Sequence, residues 1–137
     1  VYENHPARKF HLLAMVLSTL TVVPLSNNGR RADIATLVVT LEMFKKTQAE
    51  KDMADGFVNY ARGIEGVEVG LLFRECGHEE YKVSMRSKAV VDVAAVAESF
   101  GGGGHSHAAG MTLKGGLEEI KKKVVGAIKT RLLREAV

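Results

Sequence analysis

The chain has a single cysteine, Cys76, and that scarcity excludes two architectures. One thiol cannot build an internal disulfide framework or a cysteine cluster for zinc, and it makes a reducing cytoplasm the default expectation. No apolar run is long enough to cross a bilayer and no secretory signal is visible, so no membrane partner is expected. The glycines are not followed by Gly-Lys-Ser/Thr, which excludes a Walker-type phosphate loop. The first residue is Val1 rather than methionine, which points to a processed product or a piece of a longer chain. What is present is globular in kind. The 137 residues are 46% hydrophobic and 26% charged, enough for one domain that buries about two-thirds of its unfolded surface. A net charge of +3 is compatible with polyanionic partners without establishing them.

Periodicity predicts alternating helices and strands. An opening helix from Pro6 to Leu20 carries an apolar stripe of Phe10, Leu13, Leu17 and Leu20. Thr21 to Leu25 and Ala32 to Val39 read as strands, separated by an Asn27-Asn28-Gly29 turn. Thr40 is a candidate cap for a short helix through Phe44 and Lys45. A further helix is expected from Ala49 to Arg62, with Met53, Phe57, Tyr60 and Ala61 facing inward. Val67 to Phe73 and Glu80 to Lys88 alternate as partner strands around a turn at Cys76–Glu79. Asp92 caps a helix, Ala108 to Leu113 returns as a strand, and Gly115-Gly116 breaks it. The last helix is striped by Leu117, Ile120, Val124, Ile128 and Leu132. Its Glu118 and Glu119 near the start, and Arg131 and Arg134 near the end, suit the helix dipole. The expected class is α/β (α+β), a mixed sheet of about five strands flanked by helices in a single domain.

The segment Gly101 to Gly110, GGGGHSHAAG, carries the most chemistry. Four glycines alone read as a flexible connector. The flanks argue otherwise: Val93, Val96 and Phe100 fall at helical spacing before it, and Ala109, Met111 and Leu113 alternate after it. Glycine lets a ligand approach backbone N–H groups, and successive N–H groups in a turn can form a concave anion site, with imidazoles from His105 and His107 beside it. The second feature is Tyr81 to Lys88, YKVSMRSK. Alternation puts Tyr81, Val83 and Met85 on one face and Lys82, Ser84, Arg86 and Lys88 on the other. Such a row of cations could track phosphates, Arg86 offering a planar fork. By itself it reads first as a solvated face or a lysine-guarded edge strand.

Together, KVSMRSK, a short helix and GGGGHSHAAG resemble the C-terminal, DHH-associated domain of the DHH-family phosphoesterases. The resemblance is to the group containing nano-RNases, phosphatases of 3′-phosphoadenosine 5′-phosphate and cyclic-dinucleotide phosphodiesterases, and it covers nearly the whole chain. It implies an interdomain linker helix over residues 1–20 and a substrate-binding domain over 21–137. It implies that Arg86 and Ser87 are the family's Arg-Ser pair, which contacts a terminal nucleotide or phosphate. It implies too that Gly102, Gly103, Gly104 and His105 are its Gly-Gly-Gly-His motif, facing a catalytic domain across a cleft. Lys88, Ser106 and His107 are adjacent substrate-binding candidates, while His5, His11 and His78 are expected at the surface or in packing.

The resemblance also implies two divalent metals, usually manganese, bound by aspartates and histidines of an N-terminal DHH domain. This sequence has no Asp-His-His triplet, and Asp33, Asp52, Asp55 and Asp92 are scattered singly. The expectation is therefore a substrate-binding half that is inactive alone. Its partners would be a short oligonucleotide or a linear or cyclic dinucleotide, the missing domain, and a second copy of itself. The alternative is a non-catalytic RNA-binding and dimerisation module similar to the glycine-rich domain of alanyl-tRNA synthetases. A metal module built on His105 and His107 lacks nearby carboxylate or thiolate partners.

Overall fold

The computed structural model describes residues 4–135. Residues 1–3 of the expected linker helix, and 136 and 137 of the expected binding domain, lie outside the described residues. Helix α1 (Ala7–Leu17) starts just after Pro6, whose extended ψ places it before the first turn. Its exit is fixed by Thr19, whose Oγ1 accepts the Val38 N–H at 2.8 Å. The stripe expected on this helix is corrected: Leu12 and Val16 are fully buried, while Phe10, Leu17 and Leu20 face outward. The helix is apolar over more than one face, and contact with the sheet selects the Leu12–Val16 line. Strand β1 (Thr21–Val23) stops short of the expected Leu25 because Pro24 has no N–H for the ladder. Asn28 and Gly29, both at positive φ, turn a small hairpin of β2 (Ser26–Asn27) and β3 (Arg30–Arg31).

Strand β4 (Asp33–Val39) leads into α2 (Leu41–Thr47), whose N-cap Thr40 accepts the Met43 N–H at 3.1 Å. The helix expected over Ala49–Arg62 is two pieces, a 3-10 turn at Lys51–Ala54 and α3 (Val58–Arg62). Gly56 breaks it with φ +87°. The break re-aims the second piece, so Phe57 and Ala61 are buried while Tyr60 is 53% exposed, not inward. Strand β5 (Val67–Gly77) runs through Cys76, which sits at a register shift against β6 (Glu80–Ser87), and the expected turn contracts to His78-Glu79. Asp92 caps α4 (Val93–Ser99) by accepting the Ala95 N–H. Strands β7 (Gly103–His105) and β8 (Ala108–Lys114) and helix α5 (Leu117–Glu135) complete the chain.

The main sheet has six strands in the order β1-β4-β5-β6-β8-β7, one more than expected because the glycine segment itself forms β7. Only β4 and β5 pair in parallel, so the sheet is mixed and the domain is α/β. Helices α4 and α5 cover one face, packing Val96, Val124 and Ile128 against Val69, Leu71, Val83 and Met85. On the other face α1, α2 and α3 cover β4 and β5, through Leu12, Val16, Phe44 and Val58 against Leu37, Val39 and Leu72. The two central strands are therefore buried on both sides and read as nearly continuous apolar runs. Beyond β5, among the described residues, only α3 reaches over this face to the near side of β6, and β6, β8 and β7 are left largely open on that side.

Asp33 opens the central strand as a buried carboxylate. It accepts the Leu25 N–H at 3.0 Å and the Arg31 guanidinium at 2.6 Å. The backbone donor first, and Arg31 second, hold its carboxyl below the ordinary aspartate range. A depressed carboxyl contributes stability that is complete above the unfolded value of about 3.9 and lost as the pH falls through the folded value. Melting curves of Asp33→Asn should accordingly fall below the parent near neutrality and converge on it at acid pH. A constant offset across the range would remove Asp33 from the acid sensitivity.

Candidate functional site

Register assembles the open face. Arg86 of β6 pairs with Ala108 of β8, which pairs with His105 of β7, and Ser84 pairs with Gly110, which pairs with Gly103. Cross-strand partners share a face, so Arg86, His105, Ser84 and Gly103 all look out from the uncovered side. Arg86 and His105 stand two strands apart, roughly 10 Å between backbones. The floor between them is made of Ala108, Gly110, Ser84 and Gly103, all small. The two cation-capable groups thus flank a shallow trough rather than pack on each other.

Arg86 is half-buried and uses one N–H on the Met85 carbonyl at 2.9 Å. Among the described residues no carboxylate pairs with it. Burial first, and then the neighbouring Arg62 cation, pull its guanidinium below the ordinary value. Arg62 was missed in sequence. It is brought close because α3 lies against Gly70, where an added Cβ would stand 2.5 Å from the Arg62 backbone nitrogen. A lone glycine inside an apolar strand is the available signal for such an approach.

The glycines divide by duty. The N–H groups of Gly101 and Gly102 bond to the Glu98 and Ala97 carbonyls and end α4 in a Schellman arrangement. The expected concave nest of successive free N–H groups is therefore corrected: the first two are spent on the helix, and the next residues are an edge strand. A Cβ at Gly102 would lie 2.2 Å from the Gly110 oxygen, and one at Gly104 (φ +144°) 2.6 Å from the Ala108 oxygen. Gly103 has nothing within 4 Å of its virtual Cβ. The trough is clear at that position.

The other expected site residues lie around this trough in different ways. His105, Ser106 and His107 are exposed, with Ser106 and His107 forming the two-residue tip between β7 and β8. The tip is tied down: Val93 N–H donates to the Ser106 carbonyl at 2.9 Å and Ser87 N–H to the His107 carbonyl at 3.1 Å. Ser87 is 1% exposed, which sets its side chain beneath the surface. Its hydroxyl donates to the Val91 carbonyl at 2.7 Å and lies 3.0 Å from His107 Nδ1. With the hydroxyl proton committed to Val91, Nδ1 is the donor of that pair, and Ser87 reaches the surface only through His107. Lys88, past the end of β6, donates to the Ile64 carbonyl at 3.1 Å, away from His105.

Beneath this arrangement lies Glu68, buried to 7% exposure and not singled out in sequence. Its Oε2 accepts N–H groups from Ala89, Val90 and Val91 at 3.2, 2.8 and 3.0 Å. It fixes the turn that carries the chain from Ser87 to the cap of α4. Among the described residues no three His, Cys, Asp or Glu side chains come together as metal ligands. The donor set here therefore does not fit a divalent metal.

Fold and face define a class: a helix-backed mixed sheet whose bare half pairs a free guanidinium with a histidine-bearing glycine strand. The DHHA1 domain family matches residues 33–130, and the chain belongs to that family. The chain is 35% identical over 133 residues to the bifunctional oligoribonuclease and PAP phosphatase NrnA of Thermus thermophilus, covering 96% of this chain and 37% of that protein. An exopolyphosphatase-related protein from Bacteroides fragilis superposes with a TM-score of 0.82 at 27% identity, over the whole of this chain and 38% of its own. The C-Ala domain of alanyl-tRNA synthetase from Aquifex aeolicus shares the fold at TM-score 0.53 and 13% identity, with 84% of this chain and 99% of that one covered. The chain spans well under half the length of the first two.

Two substitutions separate scaffold from trough. Glu68→Gln should cost about 1.5–3 kcal/mol in denaturant unfolding, because charge-assisted bonds from a buried carboxylate to three N–H groups are weakened. Unchanged stability would mean that the Ala89–Val91 turn holds itself. Among the glycines, Gly104→Ala should cost more than about 1 kcal/mol, whereas Gly103→Ala should stay within about 0.5 kcal/mol of the parent. Equal losses at the two positions would show that Gly103 is packed as tightly as its neighbour.

Proposed function

We propose that this chain is the substrate-binding part of a DHH-family phosphoesterase that hydrolyses short oligonucleotides or related nucleotides. The observation that carries the reading is the pairing of Arg86, half-buried and among the described residues without a carboxylate partner, with His105 across a floor of small residues. A half-buried cation that no carboxylate pairs with among the described residues is well satisfied by an anion from outside. A nucleotide phosphate between Arg86 and His105 meets that need, and the clear space at Gly103 lets it come close to the backbone. The T. thermophilus relative, named as an oligoribonuclease and PAP phosphatase, supports this substrate class.

In this reading the hydrolytic chemistry resides in a further domain beside α1, which holds two divalent metal ions, manganese by the resemblance. Such ions activate water and stabilise an in-line phosphoryl transition state. This chain contributes binding and orientation. Arg86 anchors the terminal phosphate or nucleotide, and His105 donates a hydrogen bond to the phosphate under attack. His107, held by Ser87, and Ser106 border the same trough. Lys88, turned to the Ile64 carbonyl, adds positive potential from beyond the end of β6. The whole protein is cytoplasmic in this account, and dimerisation would occur through surfaces away from the trough. Among the described residues no helix is long and apolar enough to cross a membrane.

Calorimetric titration of the chain with a dinucleotide should show weak, salt-sensitive binding. Arg86→Ala should weaken it by about 1.5–3 kcal/mol with the melting curve unchanged. In the enzyme that joins this chain to its catalytic domain, His105→Ala should lower kcat about ten- to a thousandfold, with a smaller change in KM. Parental binding by folded Arg86→Ala would make that strand face inert. RNA binding without any hydrolysis by the joined protein would favour the non-catalytic module instead.

A further inference from the structure

The bare face continues beyond Ser84, and a second group of cations gathers there. Arg74 of β5 is the register partner of Lys82 of β6, on the side that also carries Arg86. All three line one cleft of about 230 Å³, together with Ser84, Asp55 and Gly56. The far wall of that cleft exists because Gly56 breaks the helical path between the 3-10 turn and α3. Among the described residues neither Arg74 nor Lys82 forms an ion pair, and Asp55, exposed on the rim, is the one carboxylate in the lining.

Spacing and chemistry narrow the occupant. Arg86, Ser84 and Lys82 follow one another at two-residue steps, each roughly 6.7 Å along the strand. That is close to the phosphate-to-phosphate step of an extended single strand. Three cations side by side repel one another in the free domain, and a row of phosphates relieves all of them at once. The lining has charge and one hydroxyl but no aromatic side chain. It is suited to gripping a sugar-phosphate backbone rather than stacking on a base.

We infer that Arg74 and Lys82 form a second phosphate subsite, which holds an inner phosphate of an oligonucleotide whose terminal phosphate lies between Arg86 and His105. The inference rests on the reading of the open face as nucleotide-binding, and it adds that this domain senses chain length. A dinucleotide engages the Arg86 end alone, and a longer strand reaches Lys82 and Arg74. Asp55 limits the gain by placing one negative charge on the rim.

The test is fluorescence anisotropy of the full chain with labelled oligoadenylates of two and four nucleotides at two salt concentrations. The parent should bind the tetranucleotide more tightly. Lys82→Gln and Arg74→Gln should each lower tetranucleotide affinity about tenfold and dinucleotide affinity less than twofold. The salt slope for the tetranucleotide should fall by about 0.7 for each lost phosphate contact. Lys82→Arg should restore binding and Asp55→Asn should strengthen it, a pair of responses that a purely structural role would not give. Equal losses for both lengths, or parental binding of the tetranucleotide by both glutamine variants, would overturn the second subsite. The reading of Arg86 would then still stand if Arg86→Ala weakens both ligands. A parent that binds neither length would overturn both.

Discussion

One buried carboxylate sets the geometry on which the site depends. Glu68 gathers three consecutive N–H groups of the Ala89–Val91 turn, the last of them buried and otherwise without a partner. With that turn fixed, the Val91 carbonyl is in place for the Ser87 hydroxyl, and Asp92 is in place to cap α4. The start of α4 then holds the hairpin tip through Val93, and its glycine-capped end delivers the chain into β7. His105 is therefore positioned from both sides of its own strand by one local network. A site built on an edge strand would otherwise be loose, because edge strands are paired on one side only.

Coverage of the sheet explains where the site can be. On the α4–α5 side the layer is largely apolar, and a polar group there is costly to bury, as the Thr36 hydroxyl, unpartnered among the described residues, is. On the other side the crossover from β4 to β5 is short of helix. Its last piece, α3, has five residues and lies over Gly70. The surface from β6 to β7 is left bare, and unmatched cations are tolerated there because solvent reaches them. Stability comes from the closed face and the doubly covered central strands, so the open half is relieved of that duty.

Much of this was legible in the sequence, for physical reasons that differ by element. Alternation in Tyr81–Lys88 gave the two faces of β6, because one side chain in two must enter the core. The caps at Thr40 and Asp92 were readable because a short oxygen-bearing side chain at a helix start satisfies orphan N–H groups. The stripe of α1 was misplaced because that helix has apolar residues on two adjacent faces, and only the neighbouring sheet decides between them. The break at Gly56 was passed over because the residues on either side of it keep helical spacing. At the site, Arg86 and His105 were readable as residues, but their alignment was not. It depends on the registers of three strands, which no local pattern encodes. Arg62 and Glu68 were invisible for the same reason, since their partners are distant in sequence. The glycine run was recognisable as special, yet its hydrogen bonds were misassigned between a helix end and a nest.

That run has an evolutionary consequence. Gly102 and Gly104 are held by collision with β8, so any side chain there is rejected by the fold before its effect on a ligand can be expressed. Gly103, facing open space between them, is under no such veto. A lineage can therefore reshape the trough through this one position without passing through an unstable intermediate. Change in the trough's shape and persistence of the scaffold are thereby decoupled within three consecutive residues.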